Sequence, residues 1–198
     1  MNIFAVNDNP EVAAVQLCDQ HVVKMPIESA QMLSTAHRCL DGDAVETRTK
    51  NGRRYTRWIL SDERESVLYK STMRGHPCTQ WVMENLQNYL WLSIHALEMC
   101  KEYSRRYDRR HGSQDVIEYL RINYPKNMPN AMRSPFAQAM PDYCKRSNAV
   151  DAYQTFYIEE KARFARWSKT RPPAWYEKNF RHVVKNHPKG LTSTKDMV

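Results

Sequence analysis

The chain has 198 residues, a formal net charge of +8 and 41% hydrophobic residues. This length fits one domain with a sizeable core, and the lack of any run of 18 apolar residues excludes a membrane-spanning helix. The first twelve residues contain no basic segment and no long apolar stretch, so we expect no signal peptide. The basic balance predicts a polyanionic partner, with nucleic acid ranked before an anionic membrane surface.

The five cysteines are odd in number and widely spaced, without a Cys-x-x-Cys pair. We therefore expect no disulfide framework and a reducing, cytoplasmic compartment. A zinc site would require Cys18, His21, His37 and Cys39 to converge. We expect instead that these residues are buried thiols and helix histidines, and that the chain holds no metal.

Residues 12–40 are the first predicted element, a long amphipathic helix with Val15, Val22 and Leu33 on its apolar side. Pro26 lies inside this helix. We expect it to kink or divide the helix, because proline lacks an N–H group and clashes with the preceding turn.

Residues 45–60 have a different character. Asn51-Gly52 is typical of a two-residue type I′ turn, and the flanking Thr, Tyr, Trp and Ile residues favour strands. The segment therefore predicts a short β-hairpin inserted in a helical protein. It carries five cations within ten positions: Arg48, Lys50, Arg53, Arg54 and Arg57.

The second half of the chain predicts further helices. Residues 79–106 form the clearest one, and the spacing of its aromatic residues indicates core packing rather than a ligand-binding cluster. Residues 113–122 predict a short helix, and residues 123–141, with four prolines and no glycine, a stiff surface loop. Residues 148–169 predict another helix, which the prolines after Arg171 stop.

The fold class expected from these elements is all-α: a single compact helical domain over residues 1–180 with one short inserted β-hairpin. Residues 181–198 are polar and basic with little periodicity. We expect them to form a flexible tail.

The first helix also contains the most informative polar pattern. Its residues His21, Lys24, Glu28, Gln31 and Thr35 follow spacings of three and four, which places them on one helix face. This stripe has two interpretations. It is either a solvated face with an ordinary Lys24–Glu28 ion pair, or a cleft wall where a cation, a carboxylate and an imidazole meet one ligand.

Three segments carry a resemblance to a known family. Cys18-Asp19-Gln20-His21 is followed, nine residues after Asp19, by Glu28; His76 precedes a long helix; and Arg171-Pro172-Pro173-Ala174-Trp175-Tyr176 lies near the C-terminus. These segments resemble, in the same order, three parts of pyrimidine-dimer DNA glycosylases of the phage endonuclease V type. The first resembles the family's Asp-Gln-His with its catalytic Glu, the second its middle region, and the third its Arg-Pro-x-Trp-Tyr stretch. The last segment contains one extra residue.

This resemblance implies an all-α fold and a mechanism in which the N-terminal α-amine attacks C1′ of a flipped nucleotide. An α-amine has an ordinary pKa of about 8, so part of it is neutral at pH 7. Here the amine would belong to Met1, because Asn2 is larger than the residues that usually permit removal of the initiator methionine. Glu28 would stabilise charge and move protons, and His21 would complete the catalytic group.

The chain departs from the family pattern at several positions. The family carries arginines on either side of its catalytic glutamate, whereas this chain has Ile27 and Gln31. Lys24 is expected to replace part of that charge, and it is a second candidate, after Met1, for the imine-forming amine. About six additional residues around Asp8 also separate the N-terminus from the first helix.

DNA contacts are expected from cations of the hairpin and of the C-terminal third, which would neutralise phosphates. Two aromatic residues near the C-terminus would stack on a base or wedge the duplex, or else cap the core. The predicted DNA-binding residues are Arg53, Arg54, Arg57, Arg163, Arg166, Lys169, Arg171, Trp175 and Tyr176.

Three functions follow from these patterns. The first is a DNA glycosylase, with or without AP-lyase activity, acting on a flipped damaged or modified pyrimidine. The second is a phage-type transferase that places an amino acid or polyamine co-substrate on phosphorylated 5-hydroxymethyluracil in DNA, where His21, Lys24 and Glu28 would activate the amine. The third is a non-catalytic DNA-binding protein, in which Glu28 is freely replaceable.

In all three functions the expected partner is double-stranded DNA, and no membrane is expected to be involved. No phosphate-cradling Gly-rich loop is present in the sequence, so we expect no nucleotide cofactor. We expect a cytoplasmic monomer, in the host cytoplasm if the protein is viral.

Overall fold

Helices supply most of the regular structure. The computed structural model describes residues 1–179, and within that range it contains eight α-helices and one two-stranded antiparallel hairpin, which confirms the predicted fold class. The elements are α1 (Pro10–Gln16), α2 (Asp19–Asp41), β1 (Asp43–Arg48), β2 (Arg54–Ile59), α3 (Arg64–Val67), α4 (Pro77–Glu84), α5 (Leu86–Tyr107), α6 (Gln114–Ile122), α7 (Ala149–Phe156) and α8 (Ala174–Lys178). The predicted tail at 181–198 lies outside the described residues.

The first predicted helix is divided, but not at Pro26. The chain leaves helical geometry at Leu17 and Cys18, both extended, and α2 then runs without interruption through Pro26. The break is held from outside the helix, because the buried guanidinium of Arg106 donates to the carbonyl of Leu17 at 3.0 Å. At its other end α2 stops at Gly42, where a Cβ would lie 2.6 Å from the Arg38 carbonyl oxygen.

The two later long helices also differ from their predictions. Residues 79–106 are split into α4 and α5 at Asn85, whose side chain accepts the backbone N–H of Asn88 at 2.9 Å and so caps α5. The predicted helix 148–169 ends as α7 at Phe156 and continues only as a π-helical turn, Tyr157–Lys161. The short helix near 113–122 and the irregular loop over 123–141 are confirmed.

The inserted hairpin is confirmed, with a different turn. Arg48 pairs with Arg54 and Asp43 with Ile59 at its two ends. The Gly52 N–H donates to the Thr49 carbonyl at 2.9 Å, and Gly52 is left-handed with φ of 78°, whereas Asn51 is not. The connection is therefore a four-residue turn ending in a left-handed glycine rather than a type I′ turn, which would require positive φ at two residues.

Helices α1, α2 and α5 pack together over one core. The aromatic stripe of α4 and α5 lies in that core, as predicted: Trp81 and Trp91 are buried, and His95 is fully buried against them. No helix within residues 1–179 is both long and apolar enough to cross a membrane.

Candidate active site

A cleft of about 930 Å³ opens along α2. One wall is the face of α2 that carries His21, Lys24 and Glu28. The N-terminal segment and the region after α7 form the other walls. The spacing argument therefore places three polar residues of the predicted stripe in one cleft. Thr35, further along, instead packs against Thr72, whose N–H it accepts at 3.1 Å.

The first residues of the chain are held tightly beside this wall. Asn2 donates from its side-chain amide to the Ala139 carbonyl at 2.9 Å and accepts the Phe4 N–H at 3.0 Å. Phe4 adopts a positive φ of 40°, and residues 2–6 are buried. The additional residues around Asp8 therefore do not carry the N-terminus away from α2.

This packing brings the α-amine to the carboxylate. The Met1 nitrogen lies 3.7 Å from Glu28 Oε2, and Lys24 Nζ lies 3.0 Å from Glu28 Oε1. The side chains of Met1 and Glu28 are 5% and 13% exposed, whereas that of Lys24 is 68% exposed. One carboxylate thus faces the α-nitrogen of a residue with a buried side chain on one oxygen, and the nitrogen of a solvated lysine on the other.

His21 forms a buried aromatic part of the cleft. Its ring stacks on Phe4 with 4.1 Å between centroids, and its Nδ1 bonds the hydroxyl of Tyr157. Burial, followed by the charges of Lys161 and Lys24, lowers the pKa of His21 to about 3. The imidazole is therefore neutral at physiological pH.

Asp19 belongs to the family-like motif, but its contacts are structural. It accepts Arg106 Nη1 at 2.9 Å on one oxygen and the Ser168 N–H at 2.7 Å on the other. The Asp19 N–H itself donates to the Arg166 carbonyl at 2.8 Å. These bonds tie the start of α2 to α5 and to the segment after the π-helical turn.

Lys161 is a cleft residue that escaped the sequence reasoning. Lys161, on the π-helical turn, lies over the Phe156 ring at 4.2 Å, and burial lowers its pKa. His76 caps α4 by accepting the Cys78 N–H at 3.2 Å, and the nearby N-terminal amine lowers its pKa in addition to burial. The family resemblance had already singled out His76 through its place before a long helix, whereas nothing in the pattern singled out Lys161.

The predicted DNA-binding cations occupy different settings. Arg53, Arg54, Lys169 and Arg171 are exposed, and Arg163 is exposed at the rim of the cleft. In contrast, Arg57 is half-buried and donates to Glu65 at 3.1 Å. Arg166 is also half-buried and bonds the Ala165 carbonyl.

The two aromatic candidates pack on the protein. Trp175 donates to the Gln16 side chain at 3.0 Å, and Tyr176 is 2% exposed against Trp167. A stacking role for Tyr176 would require it to leave this position. The cysteines are free thiols, and within residues 1–179 no three His, Cys, Asp or Glu side chains are grouped closely enough to hold a metal.

Comparison with known proteins gives one family. The model described as pyrimidine dimer DNA glycosylase matches residues 1–115, which include the N-terminal segment, the polar face of α2 and His76. Neither the search of curated proteins nor the search of solved structures found a match. Since the matched region covers more than half of the chain and contains the amine–carboxylate pair, the chain belongs to the pyrimidine dimer DNA glycosylase family.

Proposed function

We propose that this protein is a DNA glycosylase that excises a damaged or modified pyrimidine flipped out of duplex DNA. Family membership implies a DNA substrate and base excision as the class of reaction. The observation that carries the proposal further is the 3.7 Å separation between the Met1 nitrogen and Glu28 Oε2 inside a cleft large enough for a nucleotide. A nucleophile beside a proton acceptor is the arrangement that covalent displacement requires.

The reaction would begin with loss of a proton from the Met1 ammonium, which Glu28 is placed to accept. The nitrogen lone pair then attacks C1′ of the deoxyribose, and the C1′–N1 bond breaks with its electron pair leaving on the base. The C1′–O4′ bond then breaks and O4′ takes the remaining proton of the nitrogen, which opens the sugar ring and leaves an imine between Met1 and C1′. Loss of a C2′ proton and of the 3′ phosphate would then cut the strand, and hydrolysis of the imine would return the free amine.

The cations of the cleft would hold the DNA during these steps. Lys24, Lys161 and Arg163 line the cleft, and Lys24 is largely solvated. Charges placed in this way are suited to the phosphates that flank a flipped nucleotide. In this proposal Lys24 supplies charge to Glu28 and to the backbone, and Met1 supplies the reacting amine.

The same cations favour a second candidate function. A transferase that replaces a phosphate or pyrophosphate on 5-hydroxymethyluracil with an amino acid or polyamine would need a cationic cleft for the leaving group. Lys24, Lys161 and Arg163 meet that requirement. In that reaction the Met1 amine has no role, so its short distance to Glu28 favours the glycosylase.

The test is covalent trapping with borohydride on duplex DNA that carries an abasic site or a thymine dimer. Wild type is compared with Glu28→Gln, with Lys24→Met and with protein acetylated on the Met1 nitrogen. We expect a covalent band for wild type and for Lys24→Met, none for the acetylated form, and a loss of about 100-fold or more in dimer excision for Glu28→Gln.

A band that survives acetylation but disappears in Lys24→Met would transfer the nucleophile to Lys24. If no band forms while DNA binding is intact, the imine mechanism is wrong. Product formation on phosphorylated 5-hydroxymethyluracil DNA with free amino acids would then establish the transferase, and its absence would leave a binding protein.

A further inference from the structure

Residues 72–76, which we call the Met73 turn, lead into α4 and lie along the polar face of α2. At one end the Thr72 N–H donates to Thr35 Oγ1 at 3.1 Å. At the other end burial lowers the pKa of His76, and the charges of the N-terminal amine and of Glu28 also act on it. Since Glu28 and Thr35 are two helical turns apart, about 10 Å, the Met73 turn follows α2 away from the cleft.

Met73 adopts a conformation that does not suit its side chain. Its φ is 50°, in the left-handed region that favours glycine, and the residue is 56% exposed. Of the three residues other than glycine with positive φ among residues 1–179, Phe4 is buried and Asp108 ends α5 with a polar side chain. Met73 alone of these combines a strained backbone with an apolar side chain in water, and neither favours folding.

The bonds around the turn hold Met73 in this conformation. The His76 N–H donates to the Met73 carbonyl at 2.9 Å, and Gln80 of α4 donates from its side-chain amide to the Arg74 carbonyl at 2.6 Å. The Arg74 guanidinium lies over the Trp58 ring, 5.2 Å from its centroid, and so ties the turn to β2. The exposed methionine is therefore presented from a fixed backbone.

We propose that Met73 inserts into the duplex and fills the gap in the base stack that the flipped nucleotide leaves. This inference rests on the proposed function in taking a nucleotide flipped out of duplex DNA as the substrate. Flipping costs the stacking and pairing energy of that nucleotide, and an apolar side chain in the gap opposes its return. Methionine suits this role because its side chain is unbranched, flexible and polarisable.

The surroundings of Met73 fit a duplex at this point. Lys70 and Arg74 are exposed on either side of it in the sequence. Among residues 1–179, nothing lies within 4 Å of the position that a Cβ at Gly75 would occupy, so this side of the turn is open. An apolar side chain between two cations matches the duplex, in which an apolar base stack lies between two charged strands.

Met73→Gly tests the proposal, because it removes the side chain and at the same time relieves the backbone. We expect its urea midpoint to equal or exceed that of wild type, while single-turnover excision of a thymine dimer from duplex DNA slows about 30-fold. Met73→Leu keeps an apolar side chain and should stay within about threefold of wild type. The matched control is Met132→Gly, at a residue 87% exposed in the loop before α7, which should leave excision unchanged.

The pairing of the target gives a second readout. An inserted side chain matters most where the nucleotide is firmly paired, so the defect of Met73→Gly should shrink from about 30-fold for a dimer opposite two adenines to about threefold opposite two thymines. A defect of equal size on both duplexes would overturn the proposal. Wild-type excision by Met73→Gly would also overturn it, and so would a fall in its urea midpoint, because the side chain would then serve folding.

A third measurement needs no excision. The duplex carries tetrahydrofuran, a stable analogue of an abasic site, with 2-aminopurine as its 3′ neighbour. Insertion beside 2-aminopurine unstacks it, so saturating wild type should raise its fluorescence about threefold and Met73→Gly less than half as much. Equal increases, or no increase with wild type, would overturn the insertion. If the dimer is not excised at all, the glycosylase proposal fails and this fluorescence decides the insertion by itself.

Discussion

Arg106 joins two carboxylates and two backbone carbonyls at the start of α2. Its side chain is fully buried, and it donates to Asp19 at 2.9 Å, to Glu102 at 2.6 Å and to the carbonyls of Val15 and Leu17. These bonds fix the break between α1 and α2 and therefore the position from which α2 begins. The face of α2 that carries Glu28 depends on this anchor.

Removal of Arg106 should cost far more than removal of its neighbour. Arg106→Met leaves the carboxylates of Glu102 and Asp19 and two carbonyls without their buried partner, so we expect the free energy of unfolding to fall by about 3–5 kcal/mol. Arg105→Gln is the matched control, because Arg105 is half exposed and, among residues 1–179, bonds Glu102 alone. Its loss should cost less than about 1 kcal/mol.

Urea unfolding monitored by circular dichroism measures both variants. Similar losses in Arg105→Gln and Arg106→Met would show that the network acts only as surface charge. A much larger loss of unfolding free energy in Arg106→Met than in Arg105→Gln would show that the buried guanidinium of Arg106 anchors the start of α2.

Part of the site followed directly from the sequence. His21, Lys24 and Glu28 recur at intervals of three and four, and a helix must place them on one face. The approach of Met1 was implied by the family resemblance but not by residue spacing, because it depends on the bond from Asn2 to the distant Ala139 carbonyl. Lys161 was missed because the change from α- to π-helical geometry after Phe156 alters which side chains face the cleft.

At the scale of the elements, the existence of the long helical segments was predictable, whereas their ends and the short helices α3 and α8 were not. The break at Leu17 is held by Arg106, about ninety residues away in the sequence, so local helix propensity could not predict it. The split at Asn85 had a local signal, since asparagine is a favoured N-cap, but the continuous apolar spacing on both sides of it dominated the pattern. Likewise Asn51-Gly52 predicted a hairpin correctly and its turn type wrongly.

The hairpin has an electrostatic feature that a ligand would relieve. Arg48 and Arg54 are directly opposite in the ladder, and both are exposed. Like charges in this position destabilise a strand pair, so a phosphate between them would stabilise it. This supports the prediction that the hairpin binds the DNA backbone.

We therefore expect Arg53→Gln/Arg54→Gln to reduce the salt dependence of DNA binding. Each lost phosphate contact should make the slope of log K against log salt concentration shallower by about 0.9. Arg57→Gln is the control, since Arg57 is already paired with Glu65 and should change the slope less. Fluorescence anisotropy across a salt series measures the slopes, and an unchanged slope in the double variant would remove the hairpin from the interface.

At the scale of the whole molecule, three buried histidines make stability depend on pH. Burial lowers the pKa of His21 to about 3 and those of His37 and His95 to about 4. His37 accepts Arg64 Nη1 at 3.1 Å, and His95 faces the Pro10 carbonyl at 2.9 Å. The folded protein keeps all three neutral under conditions where the unfolded chain protonates them.

The direction of the effect follows from proton binding. Between pH 6.5 and about 4 the unfolded state binds more protons, so stability is greatest above pH 6.5 and falls as the pH decreases. Each histidine contributes a loss of about 1.4 kcal/mol per pH unit within that window. Urea midpoints should therefore fall clearly from pH 7 to pH 5, and less so in His21→Gln. Equal midpoints at the two pH values would contradict the buried neutral histidines.

The contacts of Phe4 and Gln16 have a practical consequence for expressing a fragment of this protein. Phe4 packs on Tyr153, Phe156 and Tyr157, and Trp167 donates to the Gln16 carbonyl at 3.1 Å. The cleft that contains Glu28 is therefore completed by residues that come after the family match at residues 1–115. A gene fragment encoding that match alone would leave the inner side of the N-terminal segment in water, and its product should aggregate. The end of the family match at residue 115 is therefore not a domain boundary in this molecule.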